Sequence, residues 1–202
     1  IGCKIHIDSQ FDRKNYVYPD LPKSYQISQF GLPIGYGGEV SFFVNGDKKT
    51  LRIERLHLEE DAAKLIHPDT ADYSLVDFNR GGTPLAEIVT QPELHSAAEA
   101  KAYLQEIRLI MRNLGISDAD MEKGHLRCDA NISLRPVGEK KLYAKTEVKN
   151  LNSFKAVERA ILYEEKRQRE LWEKGSPNEK LTTRGWDESK QKTYEQRTKE
   201  EA

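Results

Sequence analysis

The sequence predicts an α+β fold with a largely antiparallel sheet and packed helices. Two strand-like segments joined by Asn45-Gly46 indicate a β-hairpin. Residues 126–134 alternate polar and apolar side chains, and two amphipathic helices begin near Ser96 and Ser153. Because strands and helices follow one another irregularly, antiparallel pairing is favoured over a doubly wound parallel sheet.

The composition limits the classes of function. The 202 residues include 32 basic and 33 acidic side chains, which leaves a net charge of -1. A protein that holds nucleic acid by bulk charge carries a basic excess, so a purely electrostatic grip is excluded. No run approaches the roughly 18 apolar residues of a membrane span. Cys3 and Cys128 are too few for a disulfide framework or a four-ligand zinc site, and a reducing cytoplasm is expected.

The first half of the chain is predicted to hold a loop, a hairpin and a mixed segment with two short apolar runs. Residues 1–38 are dense in Pro and Gly, which favours an ordered loop. Residues 40–58 form the hairpin, since Asn45-Gly46 adopts the left-handed turn conformations. Leu75-Val76 and Leu85–Val89 are short apolar runs on either side of a turn.

The second half is predicted to hold two helices around two paired strands. Ser96–Glu99 is a capping box, in which Ser96 caps the first turn and Glu99 reaches back to the Ser96 amide, and Gly115 ends that helix. Leu142–Lys149 is the strand expected to pair with residues 126–134. The second helix runs from Asn152-Ser153 to Lys174. We expect its second half to be more exposed, because polar residues interrupt its apolar stripe: Glu164, Glu165 and Gln168.

Three consecutive carboxylates, Glu59, Glu60 and Asp61, follow His57-Leu58 at the end of the hairpin. Such groups repel one another unless solvent or a cation intervenes, and Mg²⁺ needs only one or two carboxylates besides waters. The segment is therefore either a Mg²⁺ site or a solvated acidic turn in which Asp61 caps a short helix.

A second polar cluster is predicted on the paired strands. Asp129 and Arg127 share the polar face of the alternating segment, and Glu147 and Lys149 lie on the next strand. Acids for a metal and cations for phosphoryl charge are what Mg²⁺-nucleotide chemistry requires, although a solvent-exposed face explains the same pattern. Arg80, beside two glycines, either meets an anion or braces its loop.

Several other signatures are missing from the sequence. It contains no phosphate-binding loop of the G-x-x-x-x-G-K-[ST] type. Five histidines show no metal-binding spacing and are expected to face solvent for the most part: His6, His57, His67, His95 and His125.

Six stretches resemble the B subunit of the aspartyl/glutamyl-tRNA amidotransferases, the GatB family. They are spread over essentially the whole chain: Phe11–Gln29, His57–Ala62, Ser74–Arg80, Leu126–Ser133, Glu147–Phe154 and Thr183–Glu188. The paralogous archaeal GatE shares the central part, but the bacterial and organellar B subunit is the more similar.

The resemblance implies an enzyme that uses ATP and Mg²⁺ to phosphorylate the side-chain carboxylate of Glu on tRNA-Gln, or of Asp on tRNA-Asn. Ammonia that the A subunit releases from glutamine then displaces the phosphate and forms the amide. The implied partners are the A and C subunits and the acceptor end of the misacylated tRNA, without a membrane. The implied location is cytoplasmic, or organellar in a eukaryote.

The resemblance also implies roles for particular residues. Glu59 or Glu60, together with Asp129, is expected to bind the metal. The implied catalytic acids are Glu59, Glu60, Asp129 and Glu147. The cations implied to contact phosphate or the tRNA end are Arg127, Lys149 and Arg80.

Residues 1–202 are expected to be the central part of the family's catalytic domain, called the cradle. In this family a zinc-binding segment precedes that part, and helical and tail domains that grip tRNA follow it; this sequence contains neither, nor the zinc ligands. Because the chain starts at Ile1 and ends in the charged stretch Thr198–Ala202, we expect a piece of a longer protein that is inactive alone. The balanced charge then excludes tRNA binding through net positive charge for residues 1–202 only, and not for the rest of such a protein.

Two alternatives belong to other classes. The chain could be a non-catalytic scaffold that docks partner subunits, in which case it gives no metal-dependent heat with Mg²⁺-ATP. A metal-dependent hydrolase is the third interpretation, and it predicts turnover without tRNA or partners. No base–nucleophile pair in the sequence supports that third interpretation.

Overall fold

The computed structural model describes residues 1–68 and 72–198. The predicted charged end, Thr198–Ala202, therefore lies almost wholly outside the described residues. The chain divides into two compact units: Ile1–Ser41 with Lys49–Glu93, and Phe42–Lys48 with Leu94–Ala202. Within the described residues, neither helix has the length and hydropathy of a membrane span.

The α+β prediction is confirmed, with twelve strands and two helices in the described part of the chain. In order they are β1 (Lys4–Ile5), β2 (Asp12–Asn15), β3 (Tyr25–Ser28), β4 (Gly35–Val44), β5 (Asp47–Glu60), β6 (Lys64–Ile66), β7 (Leu75–Asp77), β8 (Pro84–Thr90), α1 (Ala97–Asn113), β9 (Cys128–Ile132), β10 (Thr146–Leu151), α2 (Phe154–Glu173), β11 (Thr182–Asp187) and β12 (Lys192–Thr198).

The sheet of the first unit has the strand order β1-β4-β5-β8. The strands of the predicted hairpin, β4 and β5, are at its centre. The turn of that hairpin falls in the segment Phe42–Lys48 of the second unit, and its Asn45 and Gly46 have φ of 51° and 91°, the left-handed values that the turn requires. Leu51 and Ile53 of β5 are each 1% exposed and form the core on one face of the sheet. Two further antiparallel pairs, β2–β3 and β6–β7, complete the unit.

Two predictions for this unit are wrong. Residues 1–38 are not merely a loop, because they contain β1 to β3 and the start of β4. A glycine is needed there, since a Cβ on Gly38 would overlap the Ile1 carbonyl oxygen at 2.2 Å. The acidic segment is not a turn either: β5 continues to Glu60, because Glu59 and Glu60 pair with Leu85 and Pro84 of β8.

The sheet of the second unit has the order β12-β11-β10-β9. The alternation predicted for residues 126–134 is confirmed within a shorter strand, since β9 spans only Cys128–Ile132, where Ala130 is buried and Asp129 is exposed. The partner strand starts at Thr146 and not at Leu142, because pairing with β9 begins at Ile132 opposite Thr146. One pair, β10 with β11, is parallel, since α2 connects the two strands.

Both helices begin and end where the sequence predicts. The hydroxyl of Ser96 accepts from the Glu99 amide at 3.1 Å, and the hydroxyl of Ser153 accepts from the Ala156 amide at 3.0 Å. The Glu99 carboxylate accepts from the amide of His95, one residue before the cap. Gly115 and Gly175 have positive φ just past the two helix ends.

The expected exposure of the second half of α2 is wrong. Glu164 is 0% exposed and Gln168 is 2% exposed. They are buried because α2 packs against β9, β10 and β12, and strands of that sheet supply polar partners for both side chains. The polar residues therefore continue the buried stripe of this helix.

Candidate functional site

Three side chains of the first unit converge on one face of its sheet. His57 and Glu59 lie two residues apart on β5, so they share a face, and Glu87 of β8 lies directly opposite His57. His57 Nε2 is 3.4 Å from Glu59 Oε2 and 3.7 Å from Glu87 Oε2. Among the described residues, these three form the one group of His, Cys, Asp or Glu side chains with metal-binding spacing, their ligand atoms lying within 4.8 Å of one another.

Glu59 is held as an anion at this position. Burial would raise the pKa of its carboxyl, but hydrogen bonds from His57 and Ser28 outweigh burial and hold the pKa below its ordinary value. The Ser28 hydroxyl donates at 3.2 Å, and the charge of Lys14 acts in the same direction. An ionised carboxylate beside a second one is a favourable place for a cation.

Glu60 has a different environment. Lys23 Nζ lies 2.6 Å from its carboxylate, and the Ile27 amide donates to it at 2.7 Å. Burial would raise the pKa of Glu60, and these two donors lower it below its ordinary value. Because neighbouring residues on a strand point to opposite faces, Glu60 joins β3 to β5 while Glu59 belongs to the group with His57.

The group opens into a pocket of about 690 Å³ in the first unit. Its wall includes His57, Glu59 and Glu87, and three cations besides: Arg13, Lys14 and Arg55. A pocket of this size accommodates a nucleotide or a cofactor. Carboxylates and cations in one pocket suit a metal-bound polyphosphate, in which the metal neutralises part of the charge and the cations the rest.

Arg80 lies in the first unit and braces a turn. Its Nε donates to the Ala62 carbonyl oxygen at 3.0 Å, and it is 3.9 Å from the Asp61 carboxylate. The structure thus gives Arg80 a local role, and it leaves 42% of the side chain exposed.

The remaining predicted residues belong to the second unit, where three of them are in contact. Lys149 Nζ is 3.0 Å from Asp129 Oδ2 and 3.8 Å from Glu147 Oε1. Glu147 also accepts from the Thr183 hydroxyl at 3.3 Å, and Arg127 is exposed just before β9. The ammonium therefore lies where the sequence predicts a metal between carboxylates.

Comparison with known proteins identifies the family. The sequence profile of the GatB/GatE catalytic domain matches residues 1–202. The chain belongs to this family. It is 53% identical over 204 residues to the B subunit of the aspartyl/glutamyl-tRNA(Asn/Gln) amidotransferase of Thermomicrobium roseum, covering 99% of this chain and 42% of that protein.

Other relatives of this GatB/GatE catalytic domain carry the same name. The B subunit of Campylobacter curvus is 54% identical over 204 residues, covering 100% of this chain and 43% of that protein. The B subunit of Persephonella marina is 54% identical over 202 residues, covering 100% of this chain and 42% of that protein. The GatB/GatE chain described here thus spans about two fifths of the length of these relatives.

Sequence reasoning misses two members of the group in this GatB/GatE domain. His57 belongs to the histidines that are expected for the most part to face solvent, but it is 4% exposed. Glu87 does not stand out in the sequence at all. The available signal is the period-two spacing of His57 and Glu59, combined with the short apolar run Leu85–Val89 as a neighbouring strand.

Proposed function

We propose that this chain is the ATP-using part of an amidotransferase B subunit, which activates the side-chain carboxylate of Glu on tRNA-Gln or of Asp on tRNA-Asn. The observation that carries the proposal is the grouping of His57, Glu59 and Glu87 in a pocket that also contains three cations. The names of relatives more than 50% identical to this chain support the coarser part of the proposal, a role in a tRNA-dependent amidotransferase.

The proposed reaction has two steps. The γ-phosphoryl group of ATP passes to a side-chain carboxylate oxygen of the misacylated tRNA, and ADP leaves. Ammonia then attacks the carbonyl carbon, the C–O bond to phosphate breaks, and the amide and inorganic phosphate form after a proton is lost. The A subunit supplies the ammonia from glutamine, within an assembly that also contains the B and C subunits. Phosphorylation is needed because a carboxylate is a poor acyl donor.

The group fits a divalent cation. Mg²⁺ in phosphoryl-transfer sites takes one or two carboxylates together with waters and phosphate oxygens. Glu59 and Glu87 supply those carboxylates, whereas the imidazole of His57 is a ligand typical of transition metals such as Zn²⁺ and Fe²⁺. The bound cation would withdraw charge from the phosphate oxygens of ATP.

The protein's own residues orient and neutralise the reacting groups. His57 and Ser28 hold the Glu59 carboxylate in place and keep it ionised. Lys14 and Arg13 in the same pocket stabilise the negative charge that spreads over the transferring phosphoryl oxygens. We propose that this positioning is the catalytic contribution of the first unit.

The acids and cations predicted in the second unit keep their proposed roles, including that of Asp129 as a metal ligand. Asp129 and Glu147 are proposed as further catalytic acids, and Lys149 and Arg127 as contacts for phosphate or the tRNA end. Arg80 of the first unit is proposed for the same kind of contact through the exposed part of its guanidinium.

The test of this proposal is Glu59→Gln in the assembled amidotransferase. The amide cannot replace the negative charge, so we expect ATP-dependent acyl-phosphate formation to fall by about 100-fold or more. ADP release in the presence of misacylated tRNA measures this step. The glutaminase activity of the A subunit should persist, and Glu39→Gln, an exposed carboxylate on β4, is the matched control.

Unchanged tRNA amidation in Glu59→Gln would contradict the site assignment. Calorimetric titration with Mg²⁺-ATP separates the proposed enzyme from a scaffold. The wild-type assembly should give metal-dependent heat that Glu59→Gln loses and Glu39→Gln retains. If the assembly amidates tRNA and Glu59→Gln binds Mg²⁺-ATP with the same heat as the wild type, the ATP site lies elsewhere.

A further inference from the structure

An exposed aromatic ring lies at the edge of the pocket. Phe30 is 79% exposed and Leu32 is 40% exposed, and both line the pocket that contains Glu59. Single apolar side chains on a protein surface are common and need no explanation. Here two of them share a pocket with Arg13 and Lys14, so their exposure leaves an apolar wall in an otherwise charged site.

The backbone that carries Phe30 is fixed although its ring is exposed. The Phe30 amide donates to Asp12 Oδ2 at 3.0 Å, and the Leu32 carbonyl oxygen accepts from the Gln10 amide at 3.1 Å. Gln29 is 2% exposed, and its Oε1 accepts from two backbone amides at 3.0 and 3.1 Å. A ring on a loop held in this way loses little conformational freedom when it contacts a ligand.

The chemistry of the pocket selects the kind of ligand. Carboxylates that hold a cation and nearby Lys and Arg side chains recognise phosphate groups. An aromatic side chain beside a phosphate site offers its π-face to a nucleobase. Such stacking strengthens binding, and replacing the aromatic residue by alanine weakens binding measurably. A volume of about 690 Å³ is large enough for phosphates and a base together.

We infer that Phe30, together with Leu32, is the stacking surface for an adenine base whose nucleotide places its phosphates against the cations of the same pocket. This inference rests on the proposed function, because it names the substrate contact of the proposed site. Two substrates of that reaction carry adenine: ATP, and the terminal adenosine of the tRNA. The structure supplies the surface that either base would use.

The experiment compares Phe30→Ala, Phe30→Trp and Phe43→Ala in the assembled amidotransferase. Phe43 is the control, since it is 67% exposed on β4 and does not line the pocket. We expect Phe30→Ala to raise the KM of one adenine-bearing substrate by about 5- to 150-fold with kcat little changed. Phe30→Trp should restore the wild-type KM. The inhibition constant of inorganic tripolyphosphate, which has no base, should not change.

The identity of the affected substrate distinguishes the two sources of adenine. A rise in the KM of ATP assigns the surface to the nucleotide, and a rise in the KM of misacylated tRNA assigns it to the terminal adenosine. This inference alone is overturned if the wild type shows ATP-dependent turnover and Phe30→Ala leaves both KM values unchanged. It is also overturned if Phe43→Ala has the same effect as Phe30→Ala. A wild-type assembly that does not use ATP overturns the proposed function as well.

Discussion

Glu59 and Glu164 are both carboxylates in protected positions, yet their surroundings differ in one decisive respect. Glu59 has one imidazole and one hydroxyl beside it and lines an open pocket. Glu164 is 0% exposed and is surrounded by donors from α2, β11 and β12. Burial and a lowered pKa are common to the two groups. The two carboxylates therefore differ in how many of their oxygen lone pairs remain free to accept. Glu59 keeps free lone pairs that can bind a cation, whereas Glu164 is a structural anion.

The partners of Glu164 occupy both of its oxygens. Arg167 Nη2 lies 2.8 Å from Oε2 and Arg184 Nε lies 3.3 Å from Oε1. The Thr193 hydroxyl donates to Oε1 at 2.5 Å, and Gln168 Nε2 donates to Oε2 at 3.3 Å. The contacts with Arg184 and Thr193 join α2 to β11 and β12.

The largest expected effect on stability comes from removing Glu164. In Glu164→Ala the guanidinium of Arg184, 16% exposed in the wild type, keeps its charge but loses its carboxylate. Breaking one side of a buried ion pair in this way lowers the free energy of unfolding by about 3–5 kcal/mol. Urea denaturation measures the change. A loss below about 1 kcal/mol would contradict the distinction drawn between Glu164 and Glu59.

The pH dependence of stability should differ between wild type and Glu164→Gln. Burial would raise the pKa of Glu164, but the Arg167 hydrogen bonds and the other donors lower it below the ordinary value. Its contribution to stability is therefore complete above the unfolded carboxyl pKa of about 4.3 and is lost as the pH falls through the lower folded-state pKa. We expect the wild type to exceed Glu164→Gln in unfolding free energy near neutral pH.

That gap should narrow steadily as the solution is acidified, because the protonated carboxyl of Glu164 and the amide that replaces it in the variant are then both uncharged. Urea denaturation at a series of pH values, on both proteins, measures it. Glu39→Gln serves as the control, since its carboxylate is exposed and its gap to wild type should stay near zero. A gap for Glu164→Gln that does not depend on pH would mean that the charge of Glu164 is not what stabilises the fold.

Local chemistry makes much of the fold predictable. Asn45-Gly46 specifies its turn, and Ser96 and Ser153 cap their helices through contacts within three residues along the chain. Propensity and spacing act over such short distances, so a sequence pattern suffices for them. The alternation around Asp129 predicts the strand β9 in the same way, and the short connection to the next strand favours their antiparallel pairing.

Long-range partners account for the predictions that are wrong. Glu164 is predicted to be exposed because two of its partners, Arg184 and Thr193, lie 20 and 29 positions further along the chain. The grouping around His57 is not predicted because Glu87, thirty positions away, lies opposite His57 only once β5 and β8 pair. Pattern analysis assigns a polar residue to the surface unless its partner is known. The candidate site therefore requires the sheet register, whereas the fold class does not.

The smallest effect on stability is expected at the exposed pair Asp129–Lys149. Asp129 is 48% exposed, and solvent-exposed ion pairs contribute about 0–1 kcal/mol, so Lys149→Met should change the free energy of unfolding by less than about 1 kcal/mol. Lys101→Met is a matched control, because Lys101 is 34% exposed against 35% for Lys149 and lies 2.7 Å from Glu158. Urea denaturation of the two variants compares them directly.

The same two variants separate a substrate contact from a structural one. If Lys149 contacts phosphate or the tRNA end, tRNA amidation should fall in Lys149→Met and not in Lys101→Met, at equal stability. A loss of stability above about 2 kcal/mol would instead make Lys149 a structural partner of Asp129 and Glu147, in the way that Arg184 is for Glu164. Asp129 and Glu147 would then be structural anions, as Glu164 is. Of these four carboxylates, Glu59 alone would keep acceptor capacity for a cation.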